Sequence, residues 1–243
     1  MPDKELFKQH ISQQFNSELE EIRTQLLEMG GLVEKQINDA IVALIEGDAK
    51  LAEQVREKDD AINQMELDID QECMRILARR QPAASDLRLV ISISKIIVDL
   101  ERIGDEASKI ARRAIDLVEA GQAPKGYVEC RHIAHHVRRM VQEALDAFAR
   151  MDTDQAFSVA REDKSVDQEY KSAMREMITF MMEDPRSISR VLNILWVLRS
   201  LERVGDHARN VAEHVIYLVK GIDVRHIGLK RMEAEVRRED NPE

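Results

Sequence analysis

The chain has 243 residues, 44% hydrophobic and 34% charged, with 36 basic against 46 acidic side chains for a net charge of −10. Its 9 glycines and 5 prolines fall well below the ~12% the two supply in average usage, which excludes β-sandwiches and α/β enzymes that turn at short intervals. The acidic balance excludes a duplex nucleic-acid binder, and no apolar run approaches the ~18 residues that span a bilayer.

The first predicted helix carries Leu26, Met29, Val33, Ile37, Ala40, Ile41 and Leu44 at the three-and-four spacing of one buried stripe. Gly47 ends it and Asp48 is placed to cap the next. A second helix runs to about Arg79, before Pro82. The third begins near Ser85 and aligns Val90, Ile93, Ile97, Leu100, Gly104, Ala107, Ala111, Ala114 and Val118 on one seam. That 3.5-residue period specifies near-antiparallel packing in a bundle.

The pattern then recurs. Leu100–Val118 reads LERIGDEASKIARRAIDLV and Leu201–Val219 reads LERVGDHARNVAEHVIYLV, identical at ten of nineteen positions. Upstream the copies stay aligned at an offset of 104, with Asp59 opposite Asp163 and Ile62 opposite Val166, and the offset becomes 101 after the Pro185 turn. A join falls near Gly121–Gly126. Val191, Ile194, Leu198, Leu201, Gly205, Ala208, Ala212, Val215 and Val219 form the second seam. The expected fold is therefore all-α, a tandem pair of three-helix bundles built from six long helices. Residues 1–122 and 123–221 are the repeats, and 222–243 is a charged tail expected to be mobile or ordered by a partner. Gly104 and Gly205, at one seam position in both copies, predict close helix approach, since glycine inside a helix costs ~1 kcal/mol against alanine.

Chemistry-bearing residues cluster on the same segments. Glu101 and Asp105 stand four apart, and so do their copies Glu202 and Asp206. Such pairs share one helix face, where like charges repel by a few tenths of a kcal/mol. Asp59 with Asn63, and Asp163 with Asp167, lie on the preceding helices. A hairpin brings these lines together as an oxygen-rich cluster of the kind hard cations take. The alternative is a solvated ion-pair ladder, with Arg102 and Lys109 serving Asp105 and Arg203 serving Asp206. His132, His135 and His136 follow Glu129 in an E-x-x-H arrangement without a second copy, so they read as helix-flank histidines. His207 and His214 are one-sided too, because the first copy has Glu106 and Arg113 there. Cys73 and Cys130 lie on apolar stripes without a CxxC pair, as core thiols of a reducing compartment. Phosphate-binding loops, dinucleotide fingerprints and nucleophile elbows are missing, and a non-enzymatic protein is expected.

The doubled hexapeptide Leu100-Glu101-Arg102-Ile103-Gly104-Asp105 and Leu201-Glu202-Arg203-Val204-Gly205-Asp206 resembles the E/D-x-x-x-D motif of the PhoU family. Gln81–Arg88 resembles that family's turn before the third helix, and Val211–Val219 its final helix. The resemblance implies a cytoplasmic, often dimeric regulator of phosphate uptake and a repressor of the phosphate-starvation response. Its implied partners are the ATPase subunit of a phosphate ABC transporter and a membrane sensor histidine kinase. The polar N-terminus Met1–His10, with no apolar signal core, agrees with a cytoplasmic protein. Resemblance also implies metal binding through Glu101, Asp105, Glu202 and Asp206, with Asp59, Asp163 and Asp167 as additions. The metal, divalent or iron-type, stays open, as does a carboxylate-bridged metal protein of enzymatic or storage role. Two departures, Glu106 where the second copy has His207 and Asn63 where it has Asp167, imply a weaker or different first cluster.

Overall fold

In this computed structural model, which describes residues 13–121 and 128–237, every regular element is helical. The first helix, α1 (Gln13–Glu46), buries Leu26, Met29, Val33, Ile37, Ala40 and Leu44, the stripe its sequence spells out. It ends where Gly47 takes a φ of 69°, the left-handed conformation glycine adopts without strain. Asp48 then caps α2 (Ala49–Glu57), accepting from the backbone N–H groups of Lys50 and Leu51 at 3.0 Å each.

The expected second helix is broken here. After Lys58 the chain restarts as α3 (Asp59–Arg80). The last carbonyls of a helix have no partner within it, and buried Gln36 of α1 supplies one. Its amide nitrogen donates to the Val55 carbonyl at 3.3 Å and to Asp59 Oδ1 at 2.9 Å. The second repeat keeps this stretch whole. There α5 (Val128–Arg150) leads through Met151, left-handed where the first copy has Gly47, into the unbroken α6 (Thr153–Glu183), capped by Asp152.

The third helices, α4 (Ala84–Glu119) and α7 (Ile188–Lys220), form the central pair. They run antiparallel along their full length, as four cross-contacts show: Arg88 Nε to the Leu218 carbonyl at 3.3 Å, His207 to Asp99 at 2.9 Å, Arg203 to Glu106 at 3.1 Å, and Arg113 to Asn193 at 3.5 Å. The repeats are thus related by a pseudo-twofold passing near Ile103 and Val204. The outer helices α1, α2 and α3 pack on α4, while α5 and α6 pack on α7.

Both predicted seams are buried from Val90 to Ala114 and from Val191 to Val215. At their ends Leu117 and Leu218 go inside in place of Val118 and Val219, which are half-buried. An α-helix turns every 3.6 residues, so a strict 3.5 pattern slips off the core after several turns. It slips at the same place twice.

The seam glycines touch neighbours as expected. A Cβ on Gly104 meets Gln36 Oε1 at 3.0 Å and Ile62 Cδ1 at 3.4 Å, and one on Gly205 meets Val166 at 3.5 Å and Val137 at 3.6 Å. Gly104→Leu and Gly205→Leu are each expected to cost about 1–3 kcal/mol through overpacking, measured as a shift of the urea midpoint at unchanged slope. A parent-like midpoint for both refutes the close contact. Gly30 sits closer still, with Leu145 Cδ2 at 2.6 Å from its Cβ position, where α1 meets α5.

The charged tail needs correction over residues 222–237. A helix, α8 (Leu229–Val236), packs on α6 and buries Met232 and Val236, while Val224 is buried ahead of it. Ile222, Ile227 and Leu229 pack half-buried beside these three, and Met232 and Val236 stand four apart on one face. Met1–His10, the join beyond Gly121, and residues 238–243 lie outside the described residues.

Candidate metal centres

The carboxylate lines face each other across the α3/α4 and α6/α7 hairpins, near enough to influence one another electrostatically. In the first repeat Asp59 opens α3 opposite the turn of α4 that carries Glu101 and Asp105. Burial raises the Asp59 carboxyl above its usual range and Asp105 raises it further, against the hydrogen bond from Gln36. Glu101 is raised by burial, then by Asp105, with Glu66 and Asp59 adding to it. Glu66 is a member that helical spacing alone did not point to; it lies one turn beyond Asn63 on α3. Lys109 stands 3.7 Å from Asp105 and 3.0 Å from Glu106.

Asp163, Asp167, Glu202 and Asp206 form the second cluster. Glu202 and Asp206 are both raised, first by burial and next by a neighbouring carboxylate, Asp206 acting on Glu202 and Asp163 on Asp206. Arg199 binds Glu202 through both oxygens at 2.7 Å, and Lys171 lies 3.8 Å from Asp167. Asp163 is held by Arg209, whose guanidinium donates to Asp163 at 3.0 Å and to Glu213 at 2.9 Å. Burial nevertheless keeps both carboxyls above the ordinary range.

The ion-pair ladder is realised only in part. Lys109 serves Asp105, but Arg102 leans toward Glu101 at 3.9 Å, and Arg203 crosses to Glu106 of α4 instead of Asp206. What remains is a surplus of negative charge in both hairpins, on donors that are all oxygen. That donor chemistry fits a hard or borderline cation. The carboxylates stand apart from one another, and among the described residues no three Asp, Glu, His or Cys side chains are arranged to hold a metal ion.

The surplus has a stability consequence. A carboxyl whose folded pKa is raised binds its proton more tightly in the native state, so its contribution to stability falls as pH rises through its titration. Glu202→Gln with Asp206→Asn is expected to raise the unfolding free energy at pH 7, measured with a chelator present, by up to about 1 kcal/mol. The gain disappears near pH 4 and shrinks in high salt. Destabilisation at pH 7 shows that the pair is satisfied by its arginines.

The histidines divide into two groups. His136 is tied to α6, its Nδ1 3.2 Å from Glu169 and its Nε2 3.3 Å from Glu162, and with Arg131, His132, His135 and Arg139 it lines an open groove. Glu129 lies outside the described side chains. His207 and His214 turn to the central interface, where Asp99 accepts from His207 at 2.9 Å and from Asn210 at 3.0 Å, with His214 at 3.6 Å. Burial alone raises the Asp99 carboxyl, but these three partners hold it below its usual value. The one sequence signal for this node was the one-sidedness of the two histidines. Both cysteines are buried, and burial pushes the Cys73 thiol up to about 12.

With fold and clusters in view, likeness to known proteins is specific. The PhoU domain model matches residues 26–114 and 130–215, one segment in each repeat. The chain is 71% identical over 236 residues to the phosphate-specific transport system accessory protein PhoU homolog of Pseudomonas aeruginosa, covering 97% of this chain and 98% of that one. It is 52% identical over 219 residues to the phosphate-specific transport system accessory protein PhoU of Escherichia coli K12, covering 90% of each. The crystal structure of PhoU from Pseudomonas aeruginosa superposes with a TM-score of 0.83 at 72% identity, over 86% of this chain and all (100%) of that one. That of the phosphate transport system regulatory protein PhoU from Streptococcus pneumoniae gives 0.80 at 34% identity, over 86% of this chain and 99% of its own. Two matched domains, near full-length identity and a shared fold agree: the chain belongs to the PhoU family.

Proposed function

We propose that this protein regulates phosphate uptake as an accessory of a phosphate transport system and represses the phosphate-starvation response. It does so by protein contacts, with the ATPase subunit of a phosphate ABC transporter and with a membrane sensor histidine kinase, as a cytoplasmic homodimer without catalysis of its own. The observation that carries this reading is the kinship over nearly the whole chain with relatives named as accessory and regulatory proteins of phosphate transport. In keeping with it, no helix among the described residues is long and apolar enough to cross a membrane. Purified protein is expected to bind the isolated ATPase subunit and the kinase's cytoplasmic region in a sedimentation assay, and to sediment alone as a dimer. Failure to bind either partner contradicts the contact mechanism.

Metal belongs to this proposal at the two hairpins. Glu202, Asp206, Asp163 and Asp167 would hold a cation in the second repeat, and Glu101, Asp105 and Asp59 in the first, where Asn63 removes one carboxylate. Such an ion neutralises the surplus charge and pulls each hairpin together. Equilibrium dialysis against manganese, zinc and iron is expected to show binding that Glu202→Gln with Asp206→Asn reduces more than Glu101→Gln with Asp105→Asn. A parent protein that binds none of the three ends the metal proposal.

A further inference from the structure

The histidine-lined groove between α5 and α6 carries chemistry that the hairpin clusters do not use. His132 and His136 stand one turn apart on one face of α5, and Glu162 and Glu169 stand two turns apart on the facing side of α6. His136 lies between the two carboxylates, its Nδ1 3.2 Å from Glu169 Oε1 and its Nε2 3.3 Å from Glu162 Oε2. His132 Nε2 lies 4.0 Å from the same Glu169 oxygen. The other oxygen, Glu169 Oε2, is sealed from solvent and has no hydrogen-bond donor among the described residues. A buried carboxylate oxygen without a donor costs free energy that a cation beside it offsets.

The first repeat has none of this. Glu28 and Leu32 stand where the second has His132 and His136, Met65 where it has Glu169, and Lys58 where it has Glu162. The shared fold therefore does not require these side chains. A paired di-iron centre needs both copies, but a single ion needs only one.

We propose that His132, His136 and Glu169 form a single-ion site for a borderline divalent cation such as zinc, with water as the fourth ligand. Two imidazoles at i and i+4 on a helix, joined by a carboxylate from elsewhere, are a ligand set that zinc takes. Imidazole also selects such metals over calcium or magnesium. A neutral imidazole donates through one nitrogen only. With Nε2–H of His136 on Glu162, the Nδ1 lone pair faces the Glu169 oxygen, and a cation between them satisfies both. Glu162 is itself fixed by Arg139, whose guanidinium donates to it at 3.1 Å. A carboxylate behind a ligating histidine sets the ring's tautomer and raises its basicity. Ile133 stands where a zinc hydrolase of the H-E-x-x-H type carries its base, so this site is one for binding.

As they stand, the three ligands do not enclose one point, like every such trio among the described residues. Donor atoms of one tetrahedral zinc lie about 3.3–3.5 Å apart, which His136 and Glu169 nearly meet at 3.2 Å and His132 overshoots at 4.0 Å. The His132 side chain is 64% exposed, so its ring turns inward without disturbing the core. An ion thus closes the site and ties α5 to α6. An anion fits less well. Arg131 and Arg139 also line the groove, but Arg139 is paired with Glu162 and, at 3.8 Å, with Glu143, and the undonated Glu169 oxygen repels an anion.

Zinc titrated into full-length protein against a chromogenic chelator tests this, together with nitrogen NMR of the histidine rings. The expected result is one zinc per chain at this site, bound in Glu202→Gln with Asp206→Asn as in the parent. Its binding weakens about tenfold or more in His132→Ala and in Glu169→Gln. Zinc raises the melting temperature of the parent more than that of His132→Ala, a variant whose exposed position leaves folding intact. In the NMR spectra His136 Nδ1 and His132 Nε2 shift on adding zinc, while His136 keeps its Nε2 proton. Parent-like zinc binding in both ligand variants overturns the proposal, as does a parent that binds no zinc, or ring shifts confined to other histidines. Stabilisation by inorganic phosphate in place of zinc, lost in Arg131→Ala, overturns it too. The site shares no residue with the hairpin clusters, and binding of the ATPase subunit and kinase is assayed apart from it, so these readings can fail separately.

Discussion

Phe148→Ala is expected to destabilise the protein by about 3–5 kcal/mol, among the largest effects of any single truncation. Phe148, on α5, is the largest fully buried side chain, with no exposed surface. Its removal loses the transfer energy of the ring and leaves a cavity that long, rigid helices close poorly. For a chain of this length the melting temperature falls on the order of 10 °C, while the helical spectrum below the transition stays as it was. Phe180→Ala is the control, since Phe180 is 46% exposed and its loss is expected to be near neutral. Equal midpoints for the two variants refute the assignment of α5 to the core.

Arg209→Met is expected to lower stability by about 2–4 kcal/mol at neutral pH, because it strands two buried carboxylates. Asp163 and Glu213 keep 7% and 5% of their side-chain surface exposed, and Arg209 bridges them with 32% of its own. Burial already raises both carboxyls, and without the guanidinium they rise further. The variant's native state then takes up protons more readily than its unfolded chain, so its stability falls with rising pH. The deficit against the parent is therefore smallest near pH 4 and full by pH 7. Urea midpoints across that range check this, and a deficit that does not change with pH contradicts the bridge.

Much of the fold was legible because it rests on periodicity within single helices. The repeat, the cap at Asp48, and both seams up to Ala114 and Val215 follow from the sequence pattern alone. What the sequence hid was pairing between helices. Gly30 gave no sign of the α5 leucine it accommodates, and the break at Lys58 depends on Gln36, far back along the chain and packed beside it. Arg203 reads as a partner of Asp206 on its own helix because only same-helix neighbours are visible in one dimension; the antiparallel α4 offers Glu106 instead. The same limit applies to the candidate centres. Spacing puts Glu101 with Asp105 and Glu202 with Asp206 on one face, and the hairpins set Asp59, Asp163 and Asp167 within electrostatic reach of them without arranging three side chains around an ion among the described residues. Spacing could not show Glu66 joining the first cluster, or arginines 199 and 209 holding parts of the second. The short tail helix α8 buries two apolar residues one turn apart, too few to set a period.

On the proposed function, this protein holds the phosphate-starvation response off while phosphate is abundant. A transcriptional reporter of that response, read in a strain deleted for this protein and grown in excess phosphate, tests it most directly. Expression at the starved level, returned to the repressed level by the parent gene supplied in trans, is the predicted result. Repression that is complete without the protein contradicts the account.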